Sequence, residues 1–495
     1  MADNKIKGPT ELHTFLPNDN SKQELTTKYK VQVIPKDVEV ATSLTDPDQF
    51  DPFAGRDCAT ATSDGQTLTH LLKASLGTGI LSMPLAFYKA GLVFGIFATI
   101  FVSLVCTHCS YILVKCAHIL YHKSRKTEMS YAEVAEATCA LGPKFLRKFA
   151  FIPRYFIQIS LFLTYYGTCS AYTVIIAENF REVFDYYMYN KTNINYLNDP
   201  TFLNGTVEAV SSQPAVGTNI RLFIACLLLP LILLVWVPNL KVLAPVSMVA
   251  NFFMATGLAI TFYYIFQDLS HISEVPLVGN ISDFPRFFGI TIFAMEAIGV
   301  VMPLENNMKT PRNFIGTCGV MNKGMSAVTV IYILLGFLGY VRYRSENSII
   351  TMDLDIQEIP AQVVKILVGL AVFCTFGLQF FVCLDIAWVG MKDYFTKKPL
   401  LMNYVLRTVM VIGCVLIAIA VPTIAPLIGL IGAFCFSILG LLAPVGIEMV
   451  VLWDVGFGRF NWIVIKNILI TIFGIFALIF GSRCALYDIY DQMIK

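Results

Sequence analysis

The chain has 495 residues, of which 56% are hydrophobic and only 14% are charged, and its mean hydropathy is +0.65. A water-soluble protein keeps about a quarter of its residues charged, so this composition excludes a set of soluble domains and indicates a polytopic membrane protein. The net charge of +2 gives no argument for binding nucleic acid or another acidic polymer.

The N-terminal stretch 1–66 is polar, mixed in charge and dotted with proline. It therefore predicts a disordered tail on the cytoplasmic side. It lacks the short basic and apolar pattern of a signal peptide, so we expect the first apolar helix to direct insertion. A membrane domain is predicted over 67–485, followed by a short outer tail over 486–495.

The membrane domain is predicted to be all-α, with eleven transmembrane helices, because an uninterrupted span needs about 20 largely apolar residues. The segments that qualify are 68–87, 92–118, 150–178, 221–237, 243–266, 286–304, 319–341, 361–390, 402–421, 424–452 and 462–482.

The loops between these segments predict the orientation. Lys and Arg are about twice as frequent in the loops that are cytoplasmic if the N-terminus is inside, which favours that topology. The C-terminus then lies outside. Three glycosylation sequons, at Asn190, Asn204 and Asn280, all fall in loops assigned to the outer side.

Helices 1 and 6 share an unusual pattern. Gly77-Thr78-Gly79-Ile80-Leu81-Ser82 and Glu296-Ala297-Ile298-Gly299-Val300-Val301 are both interrupted by glycine, and both continue into Met-Pro-Leu. Matched broken helices in two halves are typical of transporters built from inverted repeats. We therefore predict a 5+5 inverted repeat with broken helices 1 and 6 and one additional C-terminal helix.

A broken helix in mid-membrane exposes N–H and C=O groups that lipid cannot satisfy, so the break must be buried or line a cavity. The half-helix after Gly79 would direct its positive end at a carboxylate. Carbonyl groups between Phe293 and Ala297 would suit an ammonium group. An anion pocket beside a cation pocket fits an α-amino acid.

Several motifs together resemble the proton-coupled amino acid transporters of the amino acid/auxin permease superfamily over roughly residues 60–490. The motifs are Thr69–Lys73, Gly77–Leu81, Ile112–His118, Ala177–Phe180, Ile292–Glu296, Pro303–Lys309, Gly336–Tyr340 and Leu378–Phe380. The resemblance implies an eleven-helix symporter for small amino acids that is driven by a proton gradient and needs no cofactor besides the coupling ion H⁺.

The chain departs from that family at two points. Ala297 stands where the family usually has glycine, and its methyl group would narrow the pocket. Some relatives join two outer loops by a disulfide, whereas none of the 13 cysteines lies in the outer loops 181–219, 267–286 or 342–359. We therefore expect no disulfide outside the membrane.

The predicted substrate-binding and proton-coupling residues lie on or near helices 1, 3 and 6. Substrate binding is assigned to Gly77, Thr78, Gly79, Phe293, Ala294, Glu296 and Tyr172, and proton coupling to His70 and Glu296. Histidine suits proton loading because its ordinary pKa is near neutrality. A charge such as Glu296 in mid-membrane must face a cavity or a partner, as must Lys73, for which Glu305 and Asp385 are the candidate counter-charges. Tyr166 is a further candidate for the pocket wall.

Other functions are less well supported. Cys106, His108, Cys109, Cys116 and His118 lie on one membrane helix without a second ligand cluster, so no metal site is predicted. No catalytic motif of a serine hydrolase, zinc protease or phosphate-loop enzyme occurs. An amino-acid-sensing receptor and a sodium-coupled or uncoupled permease remain alternatives to a proton symporter. The membrane is expected to be the plasma membrane, with a lysosomal or vacuolar membrane as the alternative.

Overall fold

A computed structural model describes most of the membrane domain and a short stretch before it. The described residues are 50–54, 56, 61–197, 218–237, 240–267, 275–295, 297–391 and 398–494, without the side chains of 189–197, 240–245 and 247. Within them the regular secondary structure is helical, apart from one isolated β-bridge between Thr62 and Met308.

Eighteen α-helices follow one another in the described chain, together with short 3-10 and π segments. They are α1 (Asp64–Ser75), α2 (Met83–Ala90), α3 (Leu92–Ser124), α4 (Tyr131–Leu141), α5 (Lys144–Arg147), α6 (Phe151–Leu197), α7 (Ile220–Cys226), α8 (Leu228–Val235), α9 (Leu240–Phe266), α10 (Phe284–Met295), α11 (Ile298–Asn306), α12 (Val320–Tyr343), α13 (Ile359–Met391), α14 (Pro399–Ala420), α15 (Ile424–Leu430), α16 (Ala443–Val451), α17 (Trp462–Phe476) and α18 (Ser482–Ile494). A 3-10 segment, Thr78–Ser82, joins α1 to α2, and a π-helical segment, Ile431–Leu442, joins α15 to α16.

The helices confirm the predicted class of an all-α polytopic membrane protein. In the described chain, nine helical segments are long and apolar enough to span a membrane. The pair α1 and α2, bent by 45°, makes a tenth span, and the shorter apolar stretch Ile220–Val235 occupies the position of the predicted fourth span. Each of the eleven predicted segments thus has a helical counterpart. The inverted relation between the two five-helix halves stays a prediction.

The first break arises from local sequence. Ser63 caps α1 and forms a capping box with Gln66, which fixes the start of the helix. The helix ends at Ser75, and Gly77 precedes a 3-10 turn in place of a further α-helical turn. Pro84 stands in the first turn of α2, where its missing N–H would have no helical partner.

The second break lies in the sixth span. α10 ends at Met295, and α11 begins at Ile298 with Ala297 as its N-terminal cap. Glu296 lies outside the described residues. Both predicted breaks are therefore present, in the first and in the sixth span.

The broken spans are held against helices that stay continuous. α13 packs against α6 and α9, while α12 packs against α1, α2 and α3. On the other side α10 packs on the π-helical segment so closely that a Cβ atom on Gly432 would lie 1.9 Å from the Gly289 carbonyl oxygen. Glycine at position 432 therefore lets the two backbones touch.

The predicted domain boundaries at 66/67 and 485/486 stay predictions, and residues 1–49 of the predicted tail lie outside the described residues. The described residues before α1 nevertheless pack on the membrane domain. Phe53 is half-buried against an edge of the His118 ring, with ring centroids 5.0 Å apart. The backbone N–H of Thr62 donates to the carbonyl oxygen of Asn307 at 2.7 Å.

Candidate functional site

The two broken spans meet at their breaks. A Cβ atom built on Gly79 would lie 2.7 Å from the Ala294 Cα atom and 3.4 Å from Cδ1 of Phe293. No side chain fits at position 79 unless the backbone of α10 moves. The predicted residues Gly79, Phe293 and Ala294 are therefore in direct contact, although they are more than 200 positions apart in the sequence.

Hydroxyl groups from two continuous helices surround the turn of the first span. The Tyr332 hydroxyl donates to the Ser75 carbonyl oxygen at 2.5 Å and so satisfies one of the free carbonyl groups at the end of α1. The hydroxyl of Tyr172 lies beside the side chains of Thr78 and Gln379. Both tyrosines are buried, so their hydroxyls place polar groups where the surrounding core is apolar.

Two buried hydroxyl groups on the broken spans have no hydrogen-bond partner in the protein. The Thr78 hydroxyl is buried and has no hydrogen-bond partner of good geometry, and the same is true of Thr291 in α10. The amides of Thr78 and Gly79 begin a 3-10 segment and therefore have no helical acceptor. Buried polar groups without partners are uncommon in folded proteins, so these hydroxyl groups make the turn a candidate for binding a polar ligand.

Aromatic side chains pack closely beside the two breaks. The rings of Phe293 and Phe436 stand 6.0 Å apart. A Cβ atom on Gly299 would lie 2.1 Å from the Tyr165 hydroxyl oxygen. Ala297 is itself buried at the start of α11. Together these contacts bring the side chains and backbones at the two breaks close to one another.

The other predicted site residues have different positions. Gly77 is half-buried and has open space beside it, since the nearest atom to a Cβ there is the Ala74 carbonyl oxygen at 4.0 Å. His70 is exposed on α1, about two turns before the break. Asn280 is exposed, as a glycosylation site requires, whereas Asn204 and the side chain of Asn190 lie outside the described residues.

Two residues that the sequence suggested for the site or its charge pairs contact other parts of the protein. The Tyr166 hydroxyl donates to the Met410 carbonyl oxygen at 2.9 Å, so Tyr166 is directed at α14. Glu305 was a candidate counter-charge for Lys73, but its carboxylate binds Arg56 at 3.0 Å and His118 at 2.9 Å. Within the described ranges, no group of three or more His, Cys, Asp or Glu side chains is arranged to hold a metal ion.

Two residues of the site were missed from the sequence, namely Tyr332 and Gln379. Gln379 could have been found, because an amide side chain in the middle of an apolar span is expensive unless it has a polar partner. Tyr332 could not, since the spans contain many tyrosines and nothing local distinguishes the one that contacts the end of α1.

Comparison with known proteins identifies close relatives. A family model described as transmembrane amino acid transporter protein matches residues 60–486. The chain is 55% identical over 482 residues to the proton-coupled amino acid transporter-like protein pathetic of Drosophila melanogaster, covering 97% of this chain and 95% of that protein. It is 24% identical over 440 residues to the amino acid transporter AVT3C of Arabidopsis thaliana, covering 87% and 92% respectively.

Among solved structures, the chain is similar to an inward-facing conformation of Mhp1. That match has 13% sequence identity and a TM-score of 0.49, and it covers 92% of this chain and 96% of the other.

Proposed function

Because the chain belongs to the transmembrane amino acid transporter family, we propose that it carries small neutral amino acids across a membrane together with protons. In this proposal the two broken spans alternate between access from one side and from the other. The protein is a transporter and not an enzyme.

One observation supports this substrate class above all: the contact of Gly79 with Ala294 beside the unpartnered Thr78 hydroxyl. The free amides and the positive end of the half-helix suit a carboxylate. The side chains of Thr78, Tyr172, Tyr332 and Gln379 are all uncharged, which favours a neutral substrate side chain. The close approach of the two backbones favours a small one.

Uptake into proteoliposomes tests the proposal. Purified protein is reconstituted, and accumulation of radiolabelled alanine, proline and leucine is followed with an acid exterior, with and without Na⁺. We expect accumulation of the small amino acids that depends on the pH gradient and not on Na⁺. Binding without accumulation would indicate a sensor, whereas dependence on Na⁺ alone would indicate a sodium-coupled permease.

For His70, we predict a role in coupling. Replacing His70 by Ala should flatten the stimulation of uptake by external acid, because the variant lacks the group that loads the proton. Exchange of labelled substrate at equal pH on both sides needs no net proton movement and should be retained. Unaltered pH dependence in the variant would show that His70 does not carry the coupled proton. The side chain of His70 is exposed in this structure.

The proposed orientation predicts glycans on the outer side. Replacing Asn190, Asn204 and Asn280 together by Gln should remove any shift in gel mobility that a glycosidase removes from the wild type. The single variants then identify which sequon is used. Labelling of an epitope inserted in 198–217 from the cytoplasmic side would contradict this orientation. The same topology holds in a plasma membrane and in a lysosomal or vacuolar one.

A further inference from the structure

The described residues that precede the first span pack against one end of the bundle. We define the N-terminal segment as residues 50–54, 56 and 61–64. It crosses the ends of α3 and α11 that the predicted topology places on the cytoplasmic side. Resting on the proposed transport function, we propose that Arg56 of this segment, bound by Glu305, is the residue that holds the cytoplasmic gate closed.

Arg56 is bound by every part of its guanidinium group. Nη2 lies 3.0 Å and 3.3 Å from the two carboxylate oxygens of Glu305, and Nη1 donates to the Glu305 carbonyl oxygen at 2.9 Å. Nε donates to the carbonyl oxygen of Thr127 at 2.8 Å. One side chain therefore connects the end of α11 to the loop between α3 and α4.

This ion pair is almost completely buried. The Glu305 side chain is 0% exposed and that of Arg56 is 7% exposed. His118 Nε2 lies 2.9 Å from one oxygen of the carboxylate, and the Tyr121 hydroxyl donates to the other at 3.0 Å. A buried carboxylate that loses its guanidinium partner becomes an uncompensated charge, so this contact strongly favours the closed arrangement.

Further contacts hold the N-terminal segment on both broken spans. Thr62 pairs with Met308, just after α11, through a parallel β-bridge. At the start of α1, Asp64 accepts hydrogen bonds from Thr310 and Asn313. The segment thus connects the start of α1 to the residues that follow α11. In the predicted topology, α1 and α11 are the cytoplasmic halves of the two broken spans.

These contacts suit a gate because they connect elements that move apart in the proposed transport cycle. In the proposed cycle, α11 separates from the loop between α3 and α4 on the cytoplasmic side when substrate leaves. Arg56 bridges α11 and the loop between α3 and α4 by ionic and hydrogen bonds, which can break and re-form without unfolding a packed core. A purely structural fastening would stabilise every state of the transporter equally, whereas a gate residue stabilises only the state closed on this side.

Limited proteolysis measures release of Arg56 without any transport assay. Trypsin must accommodate the Arg56 side chain in order to cleave after it, so the bond is protected while Glu305 holds the guanidinium. In full-length protein in lipid nanodiscs, Glu305→Gln should raise the rate of cleavage after Arg56 by at least ~10-fold, since removing one partner of a buried ion pair shifts such equilibria by more than that. The matched control is Glu128→Gln, which removes an exposed carboxylate from the same end of the molecule.

Transport kinetics measured separately from each side of the membrane then test whether release of Arg56 opens the cytoplasmic side of the transporter. If closure toward the cytoplasm is weakened, fewer transporters face outward, and the apparent affinity for external substrate falls in proportion to that population. In Arg56→Ala and Glu305→Gln we therefore expect the KM for external substrate to rise at least ~10-fold while efflux from preloaded vesicles is retained. Arg56→Lys keeps the charge but loses the forked contact, and it should give an intermediate KM.

The possible results distinguish failure of the gate proposal from failure of the proposed transport function. An unchanged rate of cleavage after Arg56 in Glu305→Gln would show that the Glu305 carboxylate does not hold Arg56 in place. Faster cleavage with an unchanged external KM, or an equal loss of uptake and efflux, would reduce Arg56 to a structural fastening. If the wild type transports no amino acid at all, the proposed function fails, while the proteolysis result still decides whether Arg56 is held.

Discussion

Replacing Glu296 by Gln is expected to abolish nearly all uptake. In the sequence, the residue lies between Met295, where α10 ends, and Ile298, where α11 begins. A charge at mid-membrane costs at least ~2.5–3.5 kcal/mol on insertion scales, so a carboxylate here should bind the substrate ammonium group or carry the proton. Gln keeps the shape of the side chain and removes its charge.

The measurement for Glu296 is initial uptake normalised to surface expression, with Glu128→Gln as a control for loss of a carboxylate elsewhere. A reduction of at least ~10-fold is expected, because a charged hydrogen bond contributes about 1.5–3 kcal/mol and the role in coupling adds to it. Uptake at the wild-type rate would reduce Glu296 to a packing role.

A loss of comparable size is expected for Gly79→Ala. The added methyl group would lie 2.7 Å from the Ala294 Cα atom, and this distance is shorter than Cβ atoms show in real structures. The backbones of the two broken spans would therefore have to separate. We expect uptake to fall at least ~10-fold, because a displacement of about 1 Å at a binding site can reduce rates ~100-fold.

Two other glycines in the same region provide controls for Gly79→Ala. Gly65 in α1 has no atom within 4 Å of a built Cβ, so Gly65→Ala should leave uptake unchanged. Gly77→Ala meets only the Ala74 carbonyl oxygen, at 4.0 Å, and should have a smaller effect than Gly79→Ala. Unchanged uptake in Gly79→Ala, with the protein at the cell surface, would show that the close contact is not needed for transport.

The spans and their breaks were predictable because hydropathy and glycine act locally. Gly77, Gly79 and Pro84 mark the first break within eight residues, so the sequence alone indicates where the helix is interrupted. Tyr172 was also predicted, and its hydroxyl lies at the turn beside Thr78. These features depend on neighbouring residues or on a motif shared with a known family.

The polar contacts between distant elements were not predictable. Arg56 and Glu305 are 249 positions apart, and the composition around Arg56 is polar, as in an unstructured tail. Their pairing depends on how α3 and α11 pack, which no local pattern specifies. For the same reason the sequence could not show that Glu305 binds Arg56 and His118 rather than serving as a counter-charge for Lys73.

The coupling of the two fluxes tests the account most directly. In proteoliposomes that contain a trapped pH indicator, addition of a small neutral amino acid outside, at equal pH and without Na⁺, should acidify the interior as labelled substrate enters. The proton flux should rise and fall with the amino acid flux across substrate concentrations, and both should fall together in Gly79→Ala. Entry of the amino acid with no accompanying acidification, or entry only when Na⁺ is present, would contradict proton symport at the two broken spans.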